Sequence, residues 1–290
     1  MKRTPDRVLS FGVWLILAVA AILPVGSCLA QDNDFSGWFS VGLEKKLAKG
    51  FTGGIEAEYR LQDHFSATDR FSAGLSFSYR LFRSTDRLFD LKAGAGFRYI
   101  RKYQPESISY KDPKEYYDAD LDDFVSVTDE RNVDAAYNVS KYRATASLSA
   151  SFKAGRLELS VRERYQFTYN DSVAVVESKW RYDTTQKAVV EVPEKSEVEM
   201  KATNTRRHIL RSRLQASYNI PHCKFSPFLS VEAYSDLANS GSLQKMRYMG
   251  GIEWSPGKHH ELELWYAYQE LTDDDEPAGN IIGLGYKFQF

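Results

Sequence analysis

Polar and apolar residues alternate along several stretches of the chain, and this period of two constrains the fold more strongly than any other feature. In residues 71–81 every odd position from Phe71 to Leu81 is apolar or aromatic, and the positions between them are Ser, Gly or Arg. The same alternation holds in 51–61 and 142–152. A strict period of two predicts β-strands with one apolar and one polar face. After residue 30 no segment of useful length has the helical period, so the sequence predicts an all-β protein.

Extending this pattern along the chain gives eleven predicted strands. They lie near 35–44, 51–61, 70–82, 88–101, 139–152, 156–170, 205–220, 224–237, 245–256, 259–271 and 279–290. Such a series predicts an antiparallel up-and-down transmembrane barrel of about 10–12 strands. We favour twelve because bacterial single-chain barrels have even strand numbers. Ten is the next alternative, with segment 35–44 outside the barrel wall, and an unusual barrel of odd strand number is the third.

The links between the predicted strands alternate between short and long. Short links lie near 45–50, 83–87, 153–155, 221–223 and 256–258, and longer ones near 62–69, 102–138, 171–204, 238–244 and 272–279. Tight turns on one side and larger external loops on the other are typical of outer-membrane barrels. In the loop at 171–204, apolar residues at 174–176 and 188–192 flank a turn at 183–186, which predicts a hairpin.

The N-terminus has the pattern of a cleaved signal peptide. Three basic residues within the first seven precede an apolar run at 8–25, and Cys28-Leu29-Ala30 ends that run with small residues. We predict a signal peptide at 1–30 and a mature chain of 31–290, exported to the outer membrane of a Gram-negative bacterium. Two alternatives remain: an uncleaved membrane anchor, or a lipoprotein acylated at Cys28 within a lipobox-like sequence at 25–28.

Charge and hydropathy exclude two other classes of protein. The chain has 38 basic and 39 acidic residues, whereas nucleic-acid binding requires a strong basic excess, so no nucleic-acid partner is expected. Mean hydropathy is −0.45, and no segment beyond the N-terminus approaches the about 20 apolar residues of a helical membrane span. After cleavage Cys223 is the remaining cysteine, so an internal disulfide is excluded.

Alternation alone does not say which face of the barrel is inside, since a soluble lipocalin-like barrel would point its apolar face inward around a ligand. Charges of both signs on the polar faces and aromatic residues on the apolar faces favour a membrane barrel. The chain also ends with Tyr286, Phe288 and Phe290 on the apolar face of the last strand, which resembles the signal read by the barrel-assembly machinery. Expected partners are that machinery, outer-membrane lipid and lipopolysaccharide; a secreted ligand-binding barrel is the alternative.

Several stretches resemble an uncharacterised domain-of-unknown-function family of bacterial outer-membrane β-barrel proteins. They are WFSVGLEKKL at 38–47, RERYQ at 162–166, LRSRL at 210–214, KMRY at 245–248, and DDD at 273–275 before GLGYKF at 283–288. The resemblance covers nearly all of the mature chain. It implies a barrel of this size and no activity.

The polar faces of neighbouring predicted strands carry an arginine cluster, and this is the strongest candidate site. A narrow pore lined by arginines attracts small anionic solutes, whereas arginines paired with glutamates across the lumen would fill it. Both alternatives fit a barrel between the filled eight-stranded and the open sixteen-stranded types. The predicted pore-lining residues are Arg143, Arg162, Arg164, Arg211, Arg213, Glu158, Glu261 and Glu263.

A lipid-modifying hydrolase is the alternative function, because Glu163, His208 and Ser212 fall on apolar faces of two predicted strands. His208 and Ser212 are four residues apart on one strand, about 13 Å, which is too far for a direct hydrogen bond. A bulge that moves Glu163 off this face, or a contact between Glu163 and Ser212, explains the carboxylate better, so no enzymatic activity is expected. No cofactor or metal is predicted; the acidic run at 273–276 lacks a ligand spacing for Ca²⁺.

Overall fold

The computed structural model describes residues 34–201, 204–271 and 279–290. The predicted signal peptide at 1–30, the lipidation site at Cys28 and the acidic run at 273–276 lie outside these ranges. The described residues form two compact units. The first comprises residues up to 100 with 142–168 and 206–290, and the second comprises 101–141 and 169–205.

Eleven strands form a closed barrel. In chain order they are β1 (Asp34–Ala48), β2 (Phe51–Gln62), β3 (Ala67–Arg83), β4 (Phe89–Gln104), β9 (Tyr137–Ala154), β10 (Leu157–Asn170), β14 (Arg206–Tyr218), β15 (Phe225–Asp236), β16 (Ser242–Trp254), β17 (His260–Leu271) and β18 (Gly279–Gln289). Around the wall the order is β1-β18-β17-β16-β15-β14-β10-β9-β4-β3-β2. No helix in the described ranges has the length and hydrophobicity of a membrane span.

The favoured count of twelve strands is wrong for the described residues, and so is the alternative of ten. The predicted segment at 35–44 belongs to the wall as β1, which pairs with β2 on one side and with β18 on the other. In an up-and-down series of odd number the first and last strands run the same way. The closing pair is therefore parallel, with Trp38 beside Gly283 and Leu43 beside Phe288.

The barrel wall is apolar outside and polar inside. In β3, Leu75 and Phe77 are 48% and 46% exposed, whereas Ser72 is 1% exposed. In β15, Ser230 and Glu232 are buried at 5% and 2%, on the face that points into the barrel. The period of two thus puts the small and charged side chains in the lumen and leaves the large aliphatic and aromatic ones on the outer surface.

Five of the connections lie together at one end of the barrel, called here the short-turn end. They are residues 49–50, 84–88, 155–156, 219–224 and 255–259. Gly50 and Gly155 have positive φ angles of 79° and 64°, which suit the two-residue hairpin turns they occupy. Two of the links predicted to be longer, 62–69 and 238–244, are in fact turns of four and five residues, 63–66 and 237–241, because the flanking strands extend further than their alternation suggested.

The second unit is built from the two segments predicted as long loops, and it contains β-structure. A sheet has the order β12 (Ala188–Glu191), β11 (Val173–Asp183), β8 (Arg131–Asp134) and β5 (Ser107–Tyr110), and β13 (Glu197–Lys201) also pairs with β11. β6 (Lys114–Asp118) and β7 (Asp123–Val127) form a separate hairpin. The predicted hairpin around 183–186 is confirmed: β11 and β12 pair from Asp183 with Ala188 to Trp180 with Glu191.

Candidate functional site in the barrel lumen

The lumen of the first unit contains a cavity of about 670 Å³. Its shape follows from an unequal distribution of side-chain sizes between the strands. On β3, β4 and β9 most of the inward residues that line the cavity are small, whereas β10 and β14 each contribute large arginine side chains to its wall. The small residues are Gly74, Ser76, Ser78, Gly94, Gly96, Thr145 and Ser147, and the arginines are Arg162, Arg164, Arg211 and Arg213.

The cavity wall has an excess of positive charge. Among the described residues that line it, eleven are basic and six are acidic. Seven of the eight predicted pore residues are in this lining: Arg143, Arg162, Arg164, Arg211, Arg213, Glu261 and Glu263. Glu158 lies outside the lining of this cavity, at the start of β10, where its carboxylate is 3.0 Å from the Lys153 ammonium.

Glu232 on β15 is the acidic centre of the arginine group. It is 2% exposed, and its two oxygens are 3.0 Å from Arg162 and 2.9 Å from Arg211. The Tyr234 hydroxyl donates to the same carboxylate at 2.9 Å, and an Arg247 nitrogen lies 3.9 Å away. A single buried carboxylate therefore holds three guanidinium groups in position, with charge-assisted hydrogen bonds to two of them.

Arg164 and Arg213 make no ion pair with the Glu232 carboxylate. Neither guanidinium forms a hydrogen bond or ion pair with any residue in the described ranges, and the Nε atom of each is buried. Arg213 faces Glu232 directly in the β14–β15 register, yet the carboxylate turns toward Arg211, whose register partner is Tyr234. The lumen thus contains two arginines whose charge is not neutralised by a direct contact within the described chain.

A stack of aromatic and arginine side chains, called here the plug, crosses the lumen toward the end opposite the short turns. The guanidinium of Arg60 is 3.3 Å from the centroid of the Trp38 ring, and that of Arg247 is 4.7 Å from it. Arg247 also donates from Nε to the Gln269 amide oxygen at 3.0 Å. Trp38 and Arg60 line both the main cavity and a second cavity of about 10 Å³, so they separate the two spaces.

Other lumen charges are paired along the strands toward the short-turn end. Arg98 lies 2.6 Å from Glu56 and 3.5 Å from Glu58, and Glu58 also accepts from Arg60 at 2.7 Å. Lys287 lies 2.7 Å from Glu261. The lumen therefore combines the two sequence hypotheses. Paired groups and the plug fill part of it, and the space beside the arginines stays open.

On the outer face of β10 and β14 the polar residues form two separate pairs. The Ser212 hydroxyl donates to Glu163 at 2.6 Å, as expected from the sequence. His208 instead approaches Tyr165, with Nδ1 2.7 Å from the phenol oxygen. The serine and the histidine therefore have different partners, and the geometry contains no relay from His208 to Ser212.

Sequence reasoning missed the plug and the central role of Glu232. A signal was present, because Trp38, Tyr234 and Trp265 all stand at the polar parity of their strands, beside Ser40, Glu232 and Glu263. A large aromatic residue on the wet face of a barrel strand indicates packing within the lumen. Nowhere in the described ranges do three or more His, Cys, Asp or Glu side chains converge as metal ligands.

Comparisons with other proteins give a family match over most of the chain but no activity. The model of a family described as Protein of unknown function (DUF2490) matches residues 35–279. The comparison with curated proteins yields no significant match. Among solved structures, the β domain of the Bordetella autotransporter BrkA aligns with a TM-score of 0.38 and 12% identity, covering 83% of this chain and 82% of that one. A match with so low a TM-score carries no structural argument.

Proposed function

The chain belongs to the family of proteins of unknown function DUF2490, and we propose that it is an outer-membrane β-barrel whose lumen is a narrow passage for small anions. The observation that carries the proposal is the inverted wall, with large apolar side chains outside and charged ones inside. Single-channel recording tests the anion preference, and cell fractionation tests the location.

The outer surface supports a lipid environment. A soluble barrel that exposed this many large side chains would present an apolar area far above the few hundred Å² that monomeric soluble proteins expose. In a bilayer the same surface faces hydrocarbon, and the closed sheet leaves no unpaired backbone edge. The exposed residues on barrel strands include Phe39, Val41, Ile55, Leu75, Phe77, Leu148, Val161, Leu214, Ile252, Leu264, Ile282 and Leu284.

The lumen supports anion passage rather than cation passage. The basic excess of the cavity wall is concentrated on β10 and β14, and a low-dielectric wall focuses the resulting positive potential inside the barrel. The small residues on β3, β4 and β9 leave the space through which a solute would move. The plug narrows this path, so the expected conductance is small.

Export and assembly complete the proposal. A signal peptide at 1–30 would deliver the chain to the periplasm of a Gram-negative cell. The barrel-assembly machinery would read Tyr286, Phe288 and Phe290, which follow Ile282 and Leu284 at alternate positions at the end of the chain. Lipid and lipopolysaccharide would then surround the wall. We assign no enzymatic role, because Ser212 and His208 have separate partners.

Single-channel recording tests the proposal directly. Refolded mature protein in a planar bilayer should give discrete small steps, and its reversal potential in a salt gradient should show anion preference. The double variant Arg164→Gln/Arg213→Gln should lose that preference, whereas Lys258→Gln in an exposed turn should keep it. A silent bilayer with protein that is heat-modifiable, and therefore folded, would contradict the channel. Recovery of the native protein in a soluble fraction would contradict the location.

A further inference from the structure

We propose that Arg164 and Arg213 form a binding site for a small, doubly charged oxyanion of the phosphate class. The inference rests on the proposed function, since it names the solute class that the same lumen would hold. It also makes a separate claim, because binding at equilibrium is measurable whether or not the barrel conducts.

The carboxylate of Glu232 is already engaged by groups other than these two arginines. One of its oxygens accepts from Arg162, and the other accepts from Arg211 and from the Tyr234 hydroxyl. Arg213 is its direct neighbour across the β14–β15 pair and still makes no ion pair with it. Arg164 shares β10 with Arg162, two residues away on the same face.

Among the described residues, no other acidic side chain forms an ion pair with Arg164 or Arg213 in place of Glu232. Glu56 and Glu58 contact Arg98 and Arg60, and Glu261 contacts Lys287. Glu263 lines the same cavity but makes no ion pair with Arg164 or Arg213. Within the described lumen, both guanidinium groups therefore present donors to open space.

Leaving these two guanidinium groups without a partner in the lumen costs free energy. A charged group that is removed from bulk water without a partner is costly, and the cost grows when like charges are close together. Both Nε atoms are buried without a hydrogen-bond acceptor in the described chain. An anion in the cavity that accepts from the terminal N–H groups of these guanidiniums removes the unfavourable charge that the fold leaves on β10 and β14.

The donor geometry of the guanidinium group indicates which kind of anion would bind. A guanidinium group offers parallel N–H donors that match the oxygens of a phosphate or carboxylate in a bidentate fashion. Arg164 and Arg213 flank the contact between Glu163 and Ser212 on neighbouring strands, so their two positive charges belong to one stretch of the wall. The matching ligand therefore carries two negative charges and oxygens on more than one side. A tetrahedral phosphate meets both conditions. The ligand is a free solute, since these residues line a cavity inside the wall.

The test is calorimetric titration of inorganic phosphate into refolded mature protein in detergent, at constant ionic strength with chloride and succinate as comparison anions. We expect saturable phosphate binding. Arg164→Gln and Arg213→Gln should each weaken it by about tenfold, since each removes hydrogen bonds to a charged group. Arg98→Gln removes the same charge from the same lumen, but from an arginine that already has Glu56, and should retain binding.

The unfolding temperature distinguishes a variant that has lost the phosphate site from one that has misfolded. Phosphate should raise the unfolding temperature of the native protein and of Arg98→Gln, but not that of the double variant, because a ligand stabilises only the state that binds it. No phosphate binding to the native protein, or equal binding by the double variant, would overturn the site. Anion conductance without phosphate binding would remove the site and leave the channel. Phosphate binding with a silent bilayer would support the site and remove the channel.

Discussion

The guanidinium of Arg60 on β2 lies 3.3 Å above the indole ring of Trp38 on β1, its neighbour in the barrel wall and its register partner. Arg247 on β16 reaches the same ring from across the lumen at 4.7 Å. Such contacts combine cation–π attraction with the burial of a large ring, and here they hold the plug together. Trp38 and Arg60 lie near the start of β1 and the end of β2, where they stand between the two cavities of the lumen.

Removing the platform of the plug should widen the passage. In Trp38→Ala the two guanidinium groups lose the ring between them, so single-channel conductance should increase above that of the native protein. The same change should lower the free energy of unfolding by about 3–5 kcal/mol, the usual cost of truncating a packed tryptophan. Trp254→Ala is the matched control, since that ring is 39% exposed on the outer face. An unchanged conductance in Trp38→Ala would show that the plug does not limit the passage.

The packing of Trp265 against β18 depends on a glycine. A Cβ atom at Gly283 on β18 would lie 2.0 Å from the ring of Trp265 on β17. The Gly283→Ala variant should therefore be less stable by about 1–3 kcal/mol, the cost of overpacking a filled site. The temperature at which the folded gel band converts to the unfolded one measures this. Gly257→Ala meets only His260, at 3.8 Å, and should convert at the native temperature.

Among the carboxylates of the lumen, Glu232 should cause the largest loss of stability when it is substituted. The Glu232→Gln variant leaves Arg162, Arg211 and Arg247 without their common counter-charge, and breaking such a buried pair costs about 3–5 kcal/mol. Urea unfolding of refolded protein should show the loss. Glu158→Gln breaks only a pair at a strand end, where the effect is below about 1 kcal/mol. Similar unfolding midpoints for the two variants would contradict the role of Glu232 as the centre of the arginine group.

The second unit should lose local order in acid through Glu130, which is 2% exposed. Burial raises the pKa of this carboxyl, but hydrogen bonds from the Tyr116 hydroxyl and the Tyr182 amide, with the Lys114 ammonium nearby, lower the pKa below its ordinary 4.5. A lowered folded pKa stabilises the unit above pH 4.5, and that stabilisation is lost as the pH falls through the folded pKa. The hydrogen-exchange protection factor of the Tyr182 amide should fall over that range.

The matched variant for this experiment is Glu130→Gln, which keeps an acceptor for Tyr182 and removes the charge. Its protection factor should be lower than that of the native protein at pH 7 and should not change between pH 7 and pH 3 through this group. A native protein whose protection at Tyr182 stays constant in acid would contradict the assignment.

The period of two determined most of the architecture without any tertiary information. Phe71 to Leu81 specified a strand with one apolar face, and ten further segments specified the remaining wall strands. The hairpin at 183–186 followed from turn residues between apolar ones. Local rules are sufficient here because each strand must bury one face and expose the other to hydrocarbon or solvent, whatever its neighbours are.

Only the tertiary structure decided how the barrel closes and which lumen charges neutralise each other. The parallel pairing of Trp38 with Gly283 joins the two ends of the chain, and no local pattern contains it. Glu232 contacts Arg211 rather than its register partner Arg213, and it also contacts Tyr234 and Arg162. These groups come from three strands, β10, β14 and β15. Strand periodicity is a property of neighbouring residues. The closure of a sheet and the sharing of one carboxylate are set by groups far apart in sequence, so they follow from the assembled lumen and not from the alternation that built it.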